Sequence, residues 1–240
     1  MKTTVQTSVR RQTRPRPVLR RRRAVSDDGA QGVVLYNVPW QLYVDLCDAQ
    51  GERNIRMTYD RGTLEIMPIP EHESDNFLAR RLIETLSEEL DLDIAGLGST
   101  TYRKEAAKRA LEADESYYLA NSARIKGKKR LDLDHDPPPD LVLEIDVTHS
   151  SVDRLAIYAA LRVPEVWRVK GGVFFLYSLT AENVYVEIDR SATFPLVSVE
   201  DLNRSLAVGR EQGANRMLQA FRAWLQDKMK KPRRKKNGND

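Results

Sequence analysis

A single cysteine, Cys47, stands in 240 residues, so there is no internal disulfide framework, and a reducing compartment fits. No run reaches the roughly 18 consecutive apolar residues that a membrane span needs. The arginine-rich start has no apolar stretch after its charges and is not a secretory signal; an Arg-rich, acid-poor start also fits a eukaryotic transit peptide, and the cytoplasm is the expected location. Neither G-x-G-x-x-G after a strand nor G-x-x-x-x-G-K-[ST] occurs, which disfavours a nucleotide-binding enzyme. The three histidines, His72, His135 and His149, are scattered. With one cysteine they give no zinc-ligand spacing and little support for a Cys/His nucleophilic pair. No internal repeat is present.

What is there is a globular amount of apolar residue, 41%, enough for one generous domain. The net charge of +4 hides a division. Residues 1–30 hold nine Lys/Arg against two acids, and residues 228–240 hold seven against one, which leaves 23 basic and 32 acidic residues between them, a net of −9. The runs Arg20-Arg21-Arg22-Arg23 and Lys230 to Lys236 lack apolar periodicity and read as disordered basic tails around a domain at 31–227. Such tails either contact phosphates in a salt-dependent, sequence-independent way or simply solubilise the chain.

Periodicity predicts a strand at 33–36, a helix at 40–47 and a hairpin of 54–59 with 63–67 about Asp60-Arg61-Gly62. A helix at 71–90 follows, with Leu78, Leu82, Leu86 and Leu90 as its buried stripe. Strands are expected at 98–102, 116–119 and 141–147, with 104–110 a loop or short helix. Beyond them come a short helix at 153–161, a hairpin of 166–169 with 173–177, a strand at 185–188 and an amphipathic helix at 214–228. Without regular βαβ alternation, the fold class expected is α/β in the α+β sense, a mixed central sheet flanked by helices.

The most informative stretch is PPDLVLEIDVTHSS, 138–151. Alternation sets Leu141, Leu143, Ile145 and Val147 on one side of the strand and Asp140, Val142, Glu144 and Asp146 on the other. Three carboxylates on one face need protons, positive partners or a metal if buried, and oxygen ligands of this kind suit Mg²⁺ or Mn²⁺. The alternative is a solvated face with salt bridges to nearby Arg and Lys. The strand at 116–119 is preceded by Asp114; if the two strands pair, Asp114 approaches Glu144, the arrangement of a metal-assisted phosphodiester hydrolase. His72 falls on the sheet side of its helix, as a contributor to the site or as a cap or buried imidazole.

These residues resemble a large bacterial family of restriction-endonuclease-like proteins, abundant in cyanobacteria and assigned to the PD-(D/E)XK nuclease superfamily. The resemblance runs over 33–206 and rests on NVPWQLY (37–43), YDRGTLEIMP (59–68), EHE (71–73), GSTTYR (98–103), ADESYYLAN (113–121), PPPDLVLEID (137–146) and IYAALRVPEVWRV (157–169). It implies a restriction-endonuclease-like fold and Mg²⁺-dependent hydrolysis of DNA. Asp114 matches the first acid and Glu144 the second, Asp140 the PD position, and His72 or Glu73 the leading helix, with Asp146 a further metal-ligand candidate. The chain departs from the pattern at Asp146, where the motif has lysine. Relatives often take the lysine from the next helix, and that position is Arg154, before Tyr158. Arginine keeps the charge but cannot act as a base; it can stabilise a pentavalent phosphate. The rival reading is a catalytically reduced DNA-binding protein of the same fold. A third is a structural or oligomerising protein, since a −9 domain itself repels DNA. The resemblance leaves a homodimer open and gives no membrane partner.

Overall fold

Alternation along the strands and leucine spacing along the helices sort the chain into two six-stranded sheets. The computed structural model describes residues 22–23, 32–51, 55–68, 74–128, 131–146 and 150–230, with backbone only at 22–23 and 146. In chain order the elements are β1 (Arg22–Arg23), β2 (Val33–Leu35), α1 (Trp40–Gln50), β3 (Ile55–Asp60), β4 (Thr63–Pro68), α2 (Ser74–Glu89), β5 (Ala95–Gly96), β6 (Thr100–Lys104), β7 (Arg109–Ala113) and β8 (Glu115–Tyr118). They continue as α3 (Ser122–Ile125), β9 (Leu141–Asp146), α4 (Arg154–Leu161), β10 (Glu165–Lys170), β11 (Val173–Leu179), β12 (Tyr185–Ile188), α5 (Val199–Gln212) and α6 (Ala214–Lys230).

One sheet has the order β12-β11-β10-β9-β8-β5, in which only β9 and β10 run parallel. Parallel neighbours need a crossover, and α4 supplies it. One face of this sheet is apolar: Leu141, Leu143, Ile145, Trp167 and Phe174 pack with α2, α5 and α6 through Leu78, Leu82, Leu86, Leu202, Leu206 and Phe221. This is the mixed sheet flanked by helices that the sequence predicts. The second sheet, β1-β2-β4-β3-β7-β6, was not anticipated. Its outer face buries Met57, Tyr59 and Leu64 with Val38 and Tyr43 of the α1 region. A separate core joins Leu111 and Ala113 of β7 to Val142, Val166, Ile157 and Leu161. The β3–β4 turn shows why Asp60-Arg61-Gly62 is a hairpin signal: Arg61 and Gly62 take φ 45° and 98°, the double positive φ of a tight turn matched to strand twist.

Four expectations change. Residues 104–110 are neither loop nor helix alone: a turn at 105–108 joins β6 to β7, which the charges of Lys104, Glu105, Lys108 and Arg109 disguise. Helix α5 went unread although Ser198 and Asp201 form a capping box at its start. Its Gly209 lies so close to α6 and α2 that a Cβ would meet Met217 Sδ at 2.7 Å and Leu78 Cδ2 at 3.1 Å. Arg22–Arg23, assigned to a disordered tail, pair with Val33 and Val34 as an edge strand, since ladder hydrogen bonds are made by the backbone. Finally α6 runs to Lys230, so the domain boundary set at residue 227 falls inside a helix.

Candidate active site

The β8–β9 register pairs Glu115 with Leu143 and Ser116 with Val142; one step further sets Asp114 opposite Glu144. Directly opposed side chains stand about 4.5–5.5 Å apart at Cβ. Both carboxylates are buried, Asp114 at 3% and Glu144 at 4% exposure, in the seam where the sheet carrying them meets β3, β7 and α4. Two buried carboxylates side by side demand compensation, and each is met by an arginine.

Glu144 receives a bidentate fork from Arg154: Nε donates to Oε2 at 2.9 Å and Nη2 to Oε1 at 2.6 Å. The Tyr158 hydroxyl, one turn further along α4, also donates to Oε1. Arg154 also donates to Thr58 Oγ1 at 3.0 Å and to the Glu112 carbonyl at 2.7 Å, so it fastens α4 to β3 and β7. Burial works against its charge, but the Glu144 carboxylate more than offsets this and holds the guanidinium protonated. Burial and the Glu144 charge likewise keep the Tyr158 hydroxyl protonated, as a donor.

Asp114 is held less completely. The Ile145 amide donates to Oδ2 at 2.7 Å, and Arg56 of β3 forms an ion pair with Oδ1. That contact is one of charge without hydrogen-bond geometry, because Asp114 Oδ1 and Arg56 Nε are both buried with no hydrogen-bond partner among the described residues. Burial first, and the Glu144 charge second, raise the Asp114 pKa to about 7 against the lowering effect of Arg56.

The structure thus brings Asp114, Glu144 and Arg154 together. It does not bring Asp140, whose Oδ2 accepts the amides of Leu119 at 2.7 Å and Asn121 at 3.4 Å and so clamps the turn after β8. Four residues of extended chain put it about 13 Å from Glu144, too far to share an ion. Asp146 pairs by backbone with Lys170 at the end of β9, and its side chain lies outside the described residues, as do His72, Glu73 and His149. His135 is in an exposed loop, bonded to Asp132 at 2.8 Å.

Sequence reasoning missed Arg56, Thr58 and Glu65. Glu65, 2% exposed, lies opposite Thr58 in the β3–β4 ladder. It accepts from Ser150 Oγ at 2.6 Å, Ser151 N at 2.7 Å and Ser151 Oγ at 2.7 Å. It therefore ties down the segment that leads into α4 and aims Arg154. The signal was the alternation Arg56, Thr58, Asp60 against Thr63, Glu65, Met67, a polar hairpin face easily taken for a solvated one.

Among the described residues no group of three or more His, Cys, Asp or Glu is placed to hold a metal. The Asp114–Glu144 pair has the oxygen chemistry that suits a hard cation such as Mg²⁺, which commonly draws its other ligands from water and phosphate, but both Glu144 oxygens are already bonded to Arg154 and Tyr158. The orphaned Asp114 Oδ1 is an oxygen available to such an ion, provided Arg56 withdraws from it.

A family model, Uma2, described as "Putative restriction endonuclease", matches residues 40–209. Comparison with curated proteins returns no match. Among solved structures the chain is similar to "a putative nuclease belonging to DUF820" from Anabaena variabilis, at 13% identity and a TM-score of 0.47, over 70% of this chain and 99% of that one.

Proposed function

The chain belongs to the Uma2 restriction-endonuclease family, and on that premise we propose that it is a nuclease that hydrolyses DNA phosphodiester bonds with Mg²⁺ or Mn²⁺. The observation that carries the reading is the buried Asp114–Glu144 pair at the end of the β8–β9 ladder, with one Asp114 carboxylate oxygen that has no hydrogen bond among the described residues. Asp114 and Glu144 would hold the ion, which supplies Lewis-acid polarisation of a phosphoryl oxygen and lowers the pKa of a water. Arg154 and Tyr158 fix the Glu144 carboxylate in one orientation. Arg154 does not move a proton; its bonds to Glu144, Thr58 and Glu112 make it a positioning residue, whose charge would add electrostatic support if a phosphate came close. Arg56 now pairs with Asp114 Oδ1 and, were an ion held there, would be free to meet a phosphate oxygen.

Asp114 must lose its proton to bind an ion. Since its pKa is raised to about 7, cleavage at limiting Mg²⁺ should increase as pH rises through neutrality.

A second reading, a DNA-binding protein without catalysis, is favoured by one observation: Arg154 already bonds both Glu144 oxygens, at the position where the resemblance leads one to expect a lysine. The deciding experiment is nicking of supercoiled plasmid with Mg²⁺ or Mn²⁺ by wild type, Asp114→Ala and Glu144→Ala. Cutting that requires metal and is lost in both variants supports the nuclease; no cutting by wild type, with DNA binding intact, supports the second reading.

A further inference from the structure

The turn between β6 and β7 and the outer side of α4 enclose an open groove of about 510 Å³. Lys104, Arg109 and Arg162 line it over a floor that includes Ala107, Ala156 and Ala160, and none of its lining residues is acidic. Arg109 is committed, to Asp60 at 2.8 Å and to the Ala156 carbonyl at 3.0 Å. The other two cations are not neutralised: Lys104 Nζ reaches only the Ala160 carbonyl at 3.5 Å, and Arg162 is the exposed left-handed cap of α4. Among the described residues neither is ion-paired with a carboxylate. In a stretch of chain whose net charge between the basic ends is −9, two uncompensated cations above an acid-free floor of small side chains suit a polyanion that can come close. Lys104 also covers the negative end of α4, which would otherwise oppose an anion there.

The groove leads away from the candidate site. Arg154 sits at the first turn of α4 and Arg162 just past its last. Eight residues at about 1.5 Å rise place them about 12 Å apart along the axis, or three to four nucleotide steps of duplex at about 3.4 Å each. We propose that the groove is the track for the DNA backbone flanking the scissile phosphate, with Lys104 and Arg162 making phosphate contacts. The direction of the strand rests on the nuclease reading; the binding surface does not.

The test is fluorescence anisotropy of a labelled DNA duplex with the full chain in chelator, over salt from about 50 to 200 mM. The basic tails remain in every variant. Lys104→Gln/Arg162→Gln should weaken binding about tenfold at low salt and flatten the slope of log K on log salt by about 1.8, the sum for two phosphate contacts. Arg162→Gln alone removes an exposed side chain that makes no hydrogen bond or ion pair among the described residues and should flatten it by about 0.9, so the proposal stays decidable if the double variant unfolds. Unchanged affinity and slope in Arg162→Gln and in a folded double variant overturn it and leave binding to the tails. A duplex RNA bound more tightly than DNA, with the same sensitivity, overturns the DNA assignment. Groove-dependent binding without plasmid cleavage keeps this proposal and removes the nuclease; metal-dependent cleavage with no effect of the groove variants does the reverse.

Discussion

Strand β9 divides two regions that are equally buried and chemically opposite. On one side Leu141, Leu143 and Ile145 meet the helices α2, α5 and α6 through hydrocarbon alone. On the other, Val142 is followed by Glu144, and the next layer supplies Arg154, Tyr158 and Thr58. A step of one residue separates a core that any well-fitting apolar set can fill from a cluster in which each charge has a specific partner. The acidic face is therefore not acidic because water reaches it. Its cost is met locally by two arginines from different elements, which makes the charged side the less substitutable of the two.

The largest effect should come from breaking that compensation. Arg154→Ala leaves Glu144 buried with Tyr158 as its one remaining side-chain donor among the described residues and removes the ties to Thr58 and Glu112, so it should cost about 3–5 kcal/mol, or roughly 6–20 °C in melting temperature for a domain of this size. Thermal unfolding in chelator measures it. Replacing both partners, Arg154→Leu with Glu144→Leu, should recover most of that loss while leaving no metal affinity. If the double variant is no more stable than the single one, the pair is held by its fit and not by charge balance.

On the apolar side, Leu143→Ala should cost about 2–5 kcal/mol through lost burial and the cavity left behind. Metal binding by calorimetry should not change. A large drop in metal affinity would show that the two faces are coupled and that the contrast between them is one of composition only.

Asp114 offers a smaller, pH-dependent test. Burial, then the Glu144 charge, raise its pKa to about 7 from an ordinary value of 3.8. The folded chain therefore keeps a proton that the unfolded chain releases. Its contribution is whole below about pH 4 and is lost as pH rises to about 7, at up to roughly 1.4 kcal/mol per pH unit. Asn has no proton to lose, so Asp114→Asn should gain stability relative to wild type across this window in urea unfolding without metal. A difference that stays flat with pH would mean that Arg56 neutralises Asp114 fully.

The contrast also explains what was legible in the sequence. Leu78, Leu82 and Leu86 announced α2, and the alternation of Leu141 to Asp146 announced β9, because each pattern matches the period of its element. The approach of Asp114 to Glu144 was readable from two acid-bearing strands. Asp140 looked equivalent by parity, but parity says nothing of distance along a strand, and its carboxylate had turn amides to satisfy. Arg56 and Glu65 could not be placed, since their hairpin has two covered faces and the sequence pattern does not say which sheet the polar one meets. Helix α5 was missed for a different reason: its mean composition is polar, and Leu202, Leu206 and Gly209 mark a narrow buried line between α2 and α6.

The smallest effect should come from an arginine that looks similar on paper. Arg222 of α6 reaches Glu88 and Glu89 of α2 and so, like Arg154, joins two elements through carboxylates. It is 41% exposed, against 14% for Arg154. Water screens its charge and would solvate either glutamate left behind, so Arg222→Ala should cost less than about 1 kcal/mol, part of it from packing lost along the side-chain stem. The same unfolding experiment, run beside Arg154→Ala, isolates burial as the variable. Equal losses would mean that bridging two elements, and not removing charge from water, is what makes an arginine matter in this fold, and the asymmetry drawn across β9 would fail with it.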